Sequence, residues 1–475
     1  MVRVVAAVIV AQLVVSGAAV ATRSSPSRRT TALVRSIPPL PTTETTVVDT
    51  TTAPTLPPTT SSPRPPSTAA RQPPPPPPVP TDAAGRLAAR LEAALGPVTS
   101  CLLVDDGTAR VYSRAPDRAL APASTQKLLV AAAALDQLGP GFRFVTSVVA
   151  PAAPQGGAVD ALWLVGAGDP MLATGDYAAH IGSQARTVGS PLTPLDGLAD
   201  AVAAAGVRSV KSGIHGDDSR YERLRWLPGW KPIYRDEADV SLLSALTVNG
   251  GLDRWDPSDA VAPDPTGLAT AQMSRLLGAR GVYAAAGDSQ TRPPAGVVVA
   301  QVASAPLALI VANMLRTSDN LAAELLVREL DRHAGGPGTT TGGLQVVART
   351  AQRLGVSTAG LRQGDGSGLD PADRASCSTL LGALQAGDRP GFAAIADGLA
   401  VAGRSGTLVH RFVGSPVAGA LAAKTGWINC AAGMIGRLNL RRPIRFALLV
   451  NGPCNFDAAE VIENRVVFAM ASYPE

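Results

Sequence analysis

Residues 122–138 read Pro-Ala-Ser-Thr-Gln-Lys-Leu-Leu-Val-Ala-Ala-Ala-Ala-Leu-Asp-Gln-Leu. Leu128 to Leu138 is nearly all apolar, and a helix that is apolar all round is buried on every side, so the stretch predicts a central helix. Ser124 and Lys127 stand at its start. Residues three apart share a helix face, which lets the Ser124 hydroxyl meet the Lys127 amine. A nucleophilic serine needs a nearby base to take its proton. A lysine among such apolar neighbours must be paired or partly neutralised, because desolvation disfavours the ammonium. The plainer reading makes Ser124 a helix N-cap, and the tetrapeptide alone does not decide between the two.

Lysine is scarce in the rest of the chain. Lys127, Lys211, Lys231 and Lys424 are the only lysines among 42 basic residues. Arginine keeps its proton in a protein whereas a buried lysine can be tuned towards neutrality, so a retained lysine hints at chemistry specific to an ammonium. Lys424 opens Lys424-Thr425-Gly426, just before a strand that contains Cys430. At the edge of a site it would hold an anionic group and lower the pKa of a nearby second lysine. Gly426 would let a substrate backbone come close to the strand. Between these two elements lies Ser318-Asp319-Asn320, whose residue types equally suit a cap for the helix starting near Leu321.

Ser-x-x-Lys, Ser-Asp-Asn and Lys-Thr-Gly in that order are the signature set of penicillin-binding proteins and class A β-lactamases. Ser318 follows Ser124 by 194 residues, and Lys424 follows Ser318 by 106. The first gap is too wide for a compact β-lactamase and implies an insertion. The chain resembles the class C low-molecular-mass penicillin-binding proteins, the D-alanyl-D-alanine carboxypeptidases and endopeptidases, from about Ala84 to the C-terminus. The likeness extends to Gly168-Asp169-Pro170, Asp217-Asp218-Ser219, Ser244-Ala245-Leu246 with Asn249-Gly250-Gly251, Ala322-Ala323-Glu324, Asp365-Gly366-Ser367-Gly368-Leu369 and Gly406-Thr407-Leu408. Most of these are turn chemistry, and Asp169 and Asp365 read as structural.

The resemblance implies an α/β fold of the penicillin-binding and β-lactamase-like type, an antiparallel sheet flanked by helices with an inserted strand-rich region. It implies that Ser124 attacks the carbonyl of the penultimate D-alanine of a peptidoglycan stem peptide, with Lys127 as proton acceptor. Ser318 would relay a proton to the leaving D-alanine, Asn320 would hold the substrate amide, and Lys424 and Thr425 would bind the terminal carboxylate. Backbone N–H groups of Ser124 and Trp427 would form the oxyanion hole, and β-lactams would act as covalent inhibitors. No cofactor is implied. Where the family usually has Thr or Ser after Lys-Thr-Gly, this chain has Trp427, a large ring beside the substrate. Two alternative readings remain compatible with the motifs, D,D-endopeptidase action on cross-links and a catalytically weak envelope scaffold. A β-lactamase would need a separate glutamate that nothing here resembles.

The remaining sequence sets the compartment and organisation. Arg3 precedes an uncharged run from Val4 to Ala21 that ends in Ala19-Val20-Ala21, an export signal at residues 1–21 that is either cleaved or kept as a membrane anchor. Residues 22–81 are rich in Pro, Thr and Ser and predict an extended tether. A catalytic domain over 82–475, interrupted at about 150–300, follows. Helices are expected at Ala84–Leu95, Leu128–Leu138, Ala305–Leu315, Asn320–Leu330, Leu344–Leu354, Phe392–Val401 and Ala458–Ala471, and strands at Cys101–Val104, Ala109–Tyr112, Ala161–Val165 and Val207–Ile214.

Four cysteines in an exported chain suggest two disulfides. Strand-like segments Cys430–Leu440 and Ile444–Cys454 flank Arg441-Arg442-Pro443; a hairpin centred on residue 442 sets Cys430 opposite Cys454. Cys101 and Cys377 then pair by elimination. Net charge is a modest +5, with no basic run interleaved with aromatics, so nucleic acid is not an expected partner. Four histidines, no two at ligand spacing, give no support to a metal site.

Overall fold

The computed structural model describes residues 82–287 and 295–475. The export-signal and tether expectations for residues 1–81 lie outside them. Among the described residues no helix is long and apolar enough to cross a membrane.

A six-stranded sheet forms the body, in the order Ala400–Val401, Leu421–Ile428, Ala431–Leu438, Ile444–Asn451, Thr99–Asp105 and Arg110–Arg114. Every neighbouring pair is antiparallel. Alternate residues of a strand face opposite sides, and here both sides are apolar. Cys101, Leu103, Ala447 and Leu449 join the cluster built around the Lys127–Gln137 helix. Leu102, Val104, Phe446, Leu448 and Val450 join a second cluster with residues of the Ala83–Leu95 and Phe456–Ala471 helices. A sheet covered on both faces explains the near-continuous apolar runs of these strands.

The central helix is as buried as its composition demands, with Lys127 through Leu135 all buried. The helices Leu307–Thr317, Asn320–His333, Thr340–Arg353 and Cys377–Ala386 contribute to the same cluster. Val145–Ala150, Leu162–Val165, Ile214–Asp217 and Val297–Ala303 make a separate four-stranded sheet with its own apolar cluster. That region also carries the helices Gly175–Gly182, Leu195–Ala204 and Pro265–Gly278, which a strand-rich reading does not include.

Three local expectations are corrected. The helix expected over Phe392–Val401 spans only Ala393–Asp397, and Ala400–Val401 becomes an edge strand on Ala422 and Ala423. Gly398 interrupts it, where an added Cβ would sit 2.7 Å from the Ala312 Cα. The strand expected over Val207–Ile214 breaks into Ser209–Val210 and Ile214–Asp217, separated by Gly213 at φ +85°. The C-terminal hairpin pairs Leu438 with Ile444 and Ala431 with Asn451, a register centred on residue 441, not 442.

Cys430 therefore faces Gly452, whose N–H donates to its carbonyl at 2.8 Å. The bridge still forms between Cys430 and Cys454, two residues beyond that pairing; Cys101 bonds Cys377. The second bridge ties the sheet to the Cys377–Ala386 helix across 276 residues of chain, the first closes only 24. On chain-entropy grounds, Cys101→Ala/Cys377→Ala is expected to cost about 2 kcal/mol more than Cys430→Ala/Cys454→Ala. Equilibrium denaturation of the two double variants measures the difference.

Candidate active site

Ser124 does not start the α-helix itself. It sits in a 3₁₀ turn, Ala123–Gln126, that runs into the Lys127–Gln137 helix, and Ala123 holds φ +47°. The turn is fixed by the Thr125 hydroxyl, which donates to the Pro122 carbonyl at 2.6 Å. The capping role left open for Ser124 is not taken up, since no side chain caps this helix. The Ser124 hydroxyl instead meets Lys127, whose Nζ donates to Oγ at 2.7 Å. Lys127 has no exposure to water. Its other two donors reach Asn320 Oδ1 at 2.6 Å and the Ser367 carbonyl at 2.7 Å.

The second motif is a helix junction in which capping and site coincide. Ser318 ends the Leu307–Thr317 helix in the left-handed conformation at φ +65°. Asp319 caps the next helix by accepting from the Ala322 N–H at 2.9 Å. Asn320 is engaged at both ends: besides its bond from Lys127, its Nδ2 donates to the Asp239 carbonyl at 2.7 Å. It is a holder of Lys127 as much as of any substrate amide.

The third motif lies on the Leu421–Ile428 strand, where Thr425 and Trp427 share one face and Lys424 and Gly426 the other. Lys424 is fully buried rather than at the site's edge, and donates to Ser318 Oγ at 2.8 Å and to the Thr425 carbonyl at 2.6 Å. Thr425 Oγ1 donates to Thr407 Oγ1 at 2.7 Å. The Ala400–Val401 strand pairs only as far as Ala423. Beyond it the strand has no strand partner on that edge among the described residues, which leaves backbone groups for an extended ligand.

Gly426 serves a closer neighbour than substrate. A Cβ there would lie 3.0 Å from both the Pro122 carbonyl oxygen and the Ser124 nitrogen, so the strand and the Ser124 turn are in contact because the residue is glycine. Trp427 packs edge-on against Phe456, ring centroids 5.4 Å apart. A cavity of about 670 Å³ is lined by Ser124, Ser318, Asn320, Thr425, Gly426 and Trp427, and also by Arg186.

Burial is the main cause that brings Lys127 down to about 8; Asp365, Glu324 and Asp319 oppose it, and Arg186 adds to it. Lys424 is pushed well below the usual lysine range by burial, then by the charges of Lys127 and Arg186. The depression of one lysine by the other is thus seen most clearly at Lys424, not in the direction expected from the sequence. Arg186 was not visible in the motifs. It comes from the region between the first two of them, and its guanidinium donates twice to the Thr317 carbonyl, at 3.1 and 2.5 Å. Asp365 is structural as read, accepting from Trp230 Nε1 at 2.8 Å and from the N–H of Gly368 and Asp370 at 2.6 and 2.8 Å. Asp169 accepts from the Met171 N–H at 2.8 Å.

A serine and a buried lysine at a helix start, beside an antiparallel sheet flanked by helices, define the penicillin-binding and β-lactamase-like class of fold. A family model for the D-Ala-D-Ala carboxypeptidase 3 (S13) family matches residues 92–255 and 256–472. Carboxypeptidase Rv3627c of Mycobacterium tuberculosis is 32% identical over 370 residues, covering 75% of this chain and 77% of the relative. The D-alanyl-D-alanine carboxypeptidase of Actinomadura sp. (strain R39) is 29% identical over 460 residues, with 80% and 82% covered. Penicillin binding protein 4 from Haemophilus influenzae shares the fold at a TM-score of 0.67 and 18% identity, over 81% of this chain and 99% of that one. The chain belongs to the D-Ala-D-Ala carboxypeptidase 3 (S13) family, and its activity is that of a serine-type D-Ala-D-Ala carboxypeptidase.

The contact at Gly426 gives a test of the geometry. Gly426→Ala is expected to displace the Ser124 turn by a few tenths of an ångström and slow turnover about tenfold or more. Release of D-alanine from a stem pentapeptide measures it, with a thermal melt showing that the variant is folded.

Proposed function

We propose that Ser124 is the nucleophile and Lys127 its base, and that the chain removes the terminal D-alanine from peptidoglycan stem peptides. The observation that carries this reading is the 2.7 Å contact between Lys127 Nζ and Ser124 Oγ, with the lysine wholly buried and its pKa brought down to about 8. A base near neutrality suits proton transfer at physiological pH.

The amine form of Lys127 takes the Ser124 proton as Oγ attacks the penultimate D-alanine carbonyl. The N–H groups of Ser124 and Trp427 receive the developing oxyanion, each such donor contributing about 3 kcal/mol in comparable sites. The Lys424–Ser318 contact of 2.8 Å supplies the leaving nitrogen with its proton. Thr425, linked to Thr407, receives the terminal carboxylate. Asn320 keeps Lys127 on Ser124, and water then releases the acyl group. A β-lactam presents the same carbonyl and carboxylate and would acylate Ser124.

The two disulfides and the cell-wall substrate fit an enzyme acting outside the cytoplasm. The apolar run at residues 4–21 is the segment we assign to export, as a cleaved signal or an anchor.

A fluorescent penicillin is expected to label the wild type covalently and to leave Ser124→Ala unlabelled; label on Ser124→Ala equal to wild type contradicts the assignment. The amine form of Lys127 does the work, and its folded-state pKa is about 8. The labelling rate should therefore rise with pH through about 8 and level off above it.

A further inference from the structure

Two of the three acceptors around Lys127 come from the sequence motifs, and the third does not. Its Nζ lies 2.7 Å from the Ser367 carbonyl oxygen, in the loop Asp365-Gly366-Ser367-Gly368-Leu369. A loop carbonyl is aimed only as well as the loop is held. Here the holder is Glu324, on the same helix that begins with Asn320. Its Oε1 accepts from the N–H of Gly366 at 3.0 Å and of Ser367 at 2.7 Å, and its Oε2 lies 3.2 Å from the Gly366 nitrogen. The loop lies flush on this helix: a Cβ at Gly366 would meet the Val327 side chain and, at 3.2 Å, the Ala323 carbonyl. Glu324 is fully buried.

We propose that Glu324 is a positioning residue for Lys127: it gathers the Gly366 and Ser367 N–H groups so that the Ser367 carbonyl meets the lysine, and its charge biases that lysine between ammonium and amine. This rests on the reading of Lys127 as the base. A buried carboxylate is costly unless hydrogen-bonded, and the paired N–H donors offset that cost where no cation touches it.

The charged groups facing Lys127 are Asp319 and Glu324 from the Asn320 helix and its cap, Asp365 from the loop, Asp239 and Arg186 from the inserted region, and Lys424 from the strand. Glu324 itself faces Asp365 and Arg328. Burial, with the charge of Asp365, brings Glu324 up to about 7. Its ionised form is the one the two N–H donors stabilise, and that form predominates on the alkaline side of the Lys127 titration. A negative neighbour raises the pKa of Lys127, so removing that charge lowers it and makes the amine available at lower pH, while the loosened carbonyl slows the reaction.

The experiment is the second-order rate of Ser124 labelling by a fluorescent penicillin between pH 6 and 10, on the full chain. Glu324→Gln should move the midpoint of the rising limb about one pH unit to the acid side and lower the plateau about tenfold. An unmoved midpoint in a variant with wild-type melting overturns the proposal. Glu324→Asp keeps the charge but draws it back from Gly366 and Ser367. It should keep the midpoint and lose plateau rate, and it decides the matter if Glu324→Gln does not fold: a wild-type plateau contradicts the positioning role. Lys127→Ala tests the underlying reading separately, because labelling at the wild-type rate there removes the base whatever Glu324 does.

Discussion

A lysine side chain without any contact with water must find acceptors for every N–H or give up its proton. Lys127 does both in part. Its three donors end on Ser124, Asn320 and the Ser367 carbonyl, and burial lowers its pKa to about 8. The surrounding fold can be understood as what is needed to bury that group and still aim it. The central helix is apolar on all sides because helices and sheet enclose it. The three acceptors come from the 3₁₀ turn that leads into the helix, from the junction of two helices and from a loop clamped onto one of them, so a shift in any of these layers is felt at the amine.

The same economy governs the strand beside Ser124. Lys424 and Gly426 face inwards, one to Ser318 and the other to the Ser124 turn. Thr425 and Trp427 face the cavity. Ser124, Ser318 and Asn320 line the same cavity, so this strand brings both lysine-linked groups and the cavity wall to one place. Trp427 lines that cavity beside Thr425 and is supported by Phe456.

How far the sequence discloses this follows from range. Ser124 with Lys127, and Ser318 with Asn320, are close in the chain, and local periodicity or capping chemistry suffices to find them. The central helix and the Cys430–Cys454 bridge are legible for the same reason, an apolar run and a hairpin whose arithmetic is off by one residue yet names the right partners; Cys101–Cys377 follows only by elimination. Arg186 carries no local signal; an arginine in a polar stretch, it acquires meaning only when the region bearing it folds against Thr317. Asp365 and Glu324 were visible as motif fragments, but their shared task at one loop depends on contacts across some forty residues. Gly426 was read for the substrate, while its nearest constraint is the Ser124 turn, because a close approach has no sequence period.

The central claim is that Lys127 is a buried lysine poised near neutrality against Ser124. The chain has only four lysines, so labelling with ε-¹³C-lysine gives a spectrum simple enough to assign by Lys127→Ala. The Lys127 resonance is expected to titrate with a midpoint near 8 in the intact enzyme. A Lys127 resonance that stays in its ammonium form to above about pH 10, as an unperturbed lysine does, would contradict it.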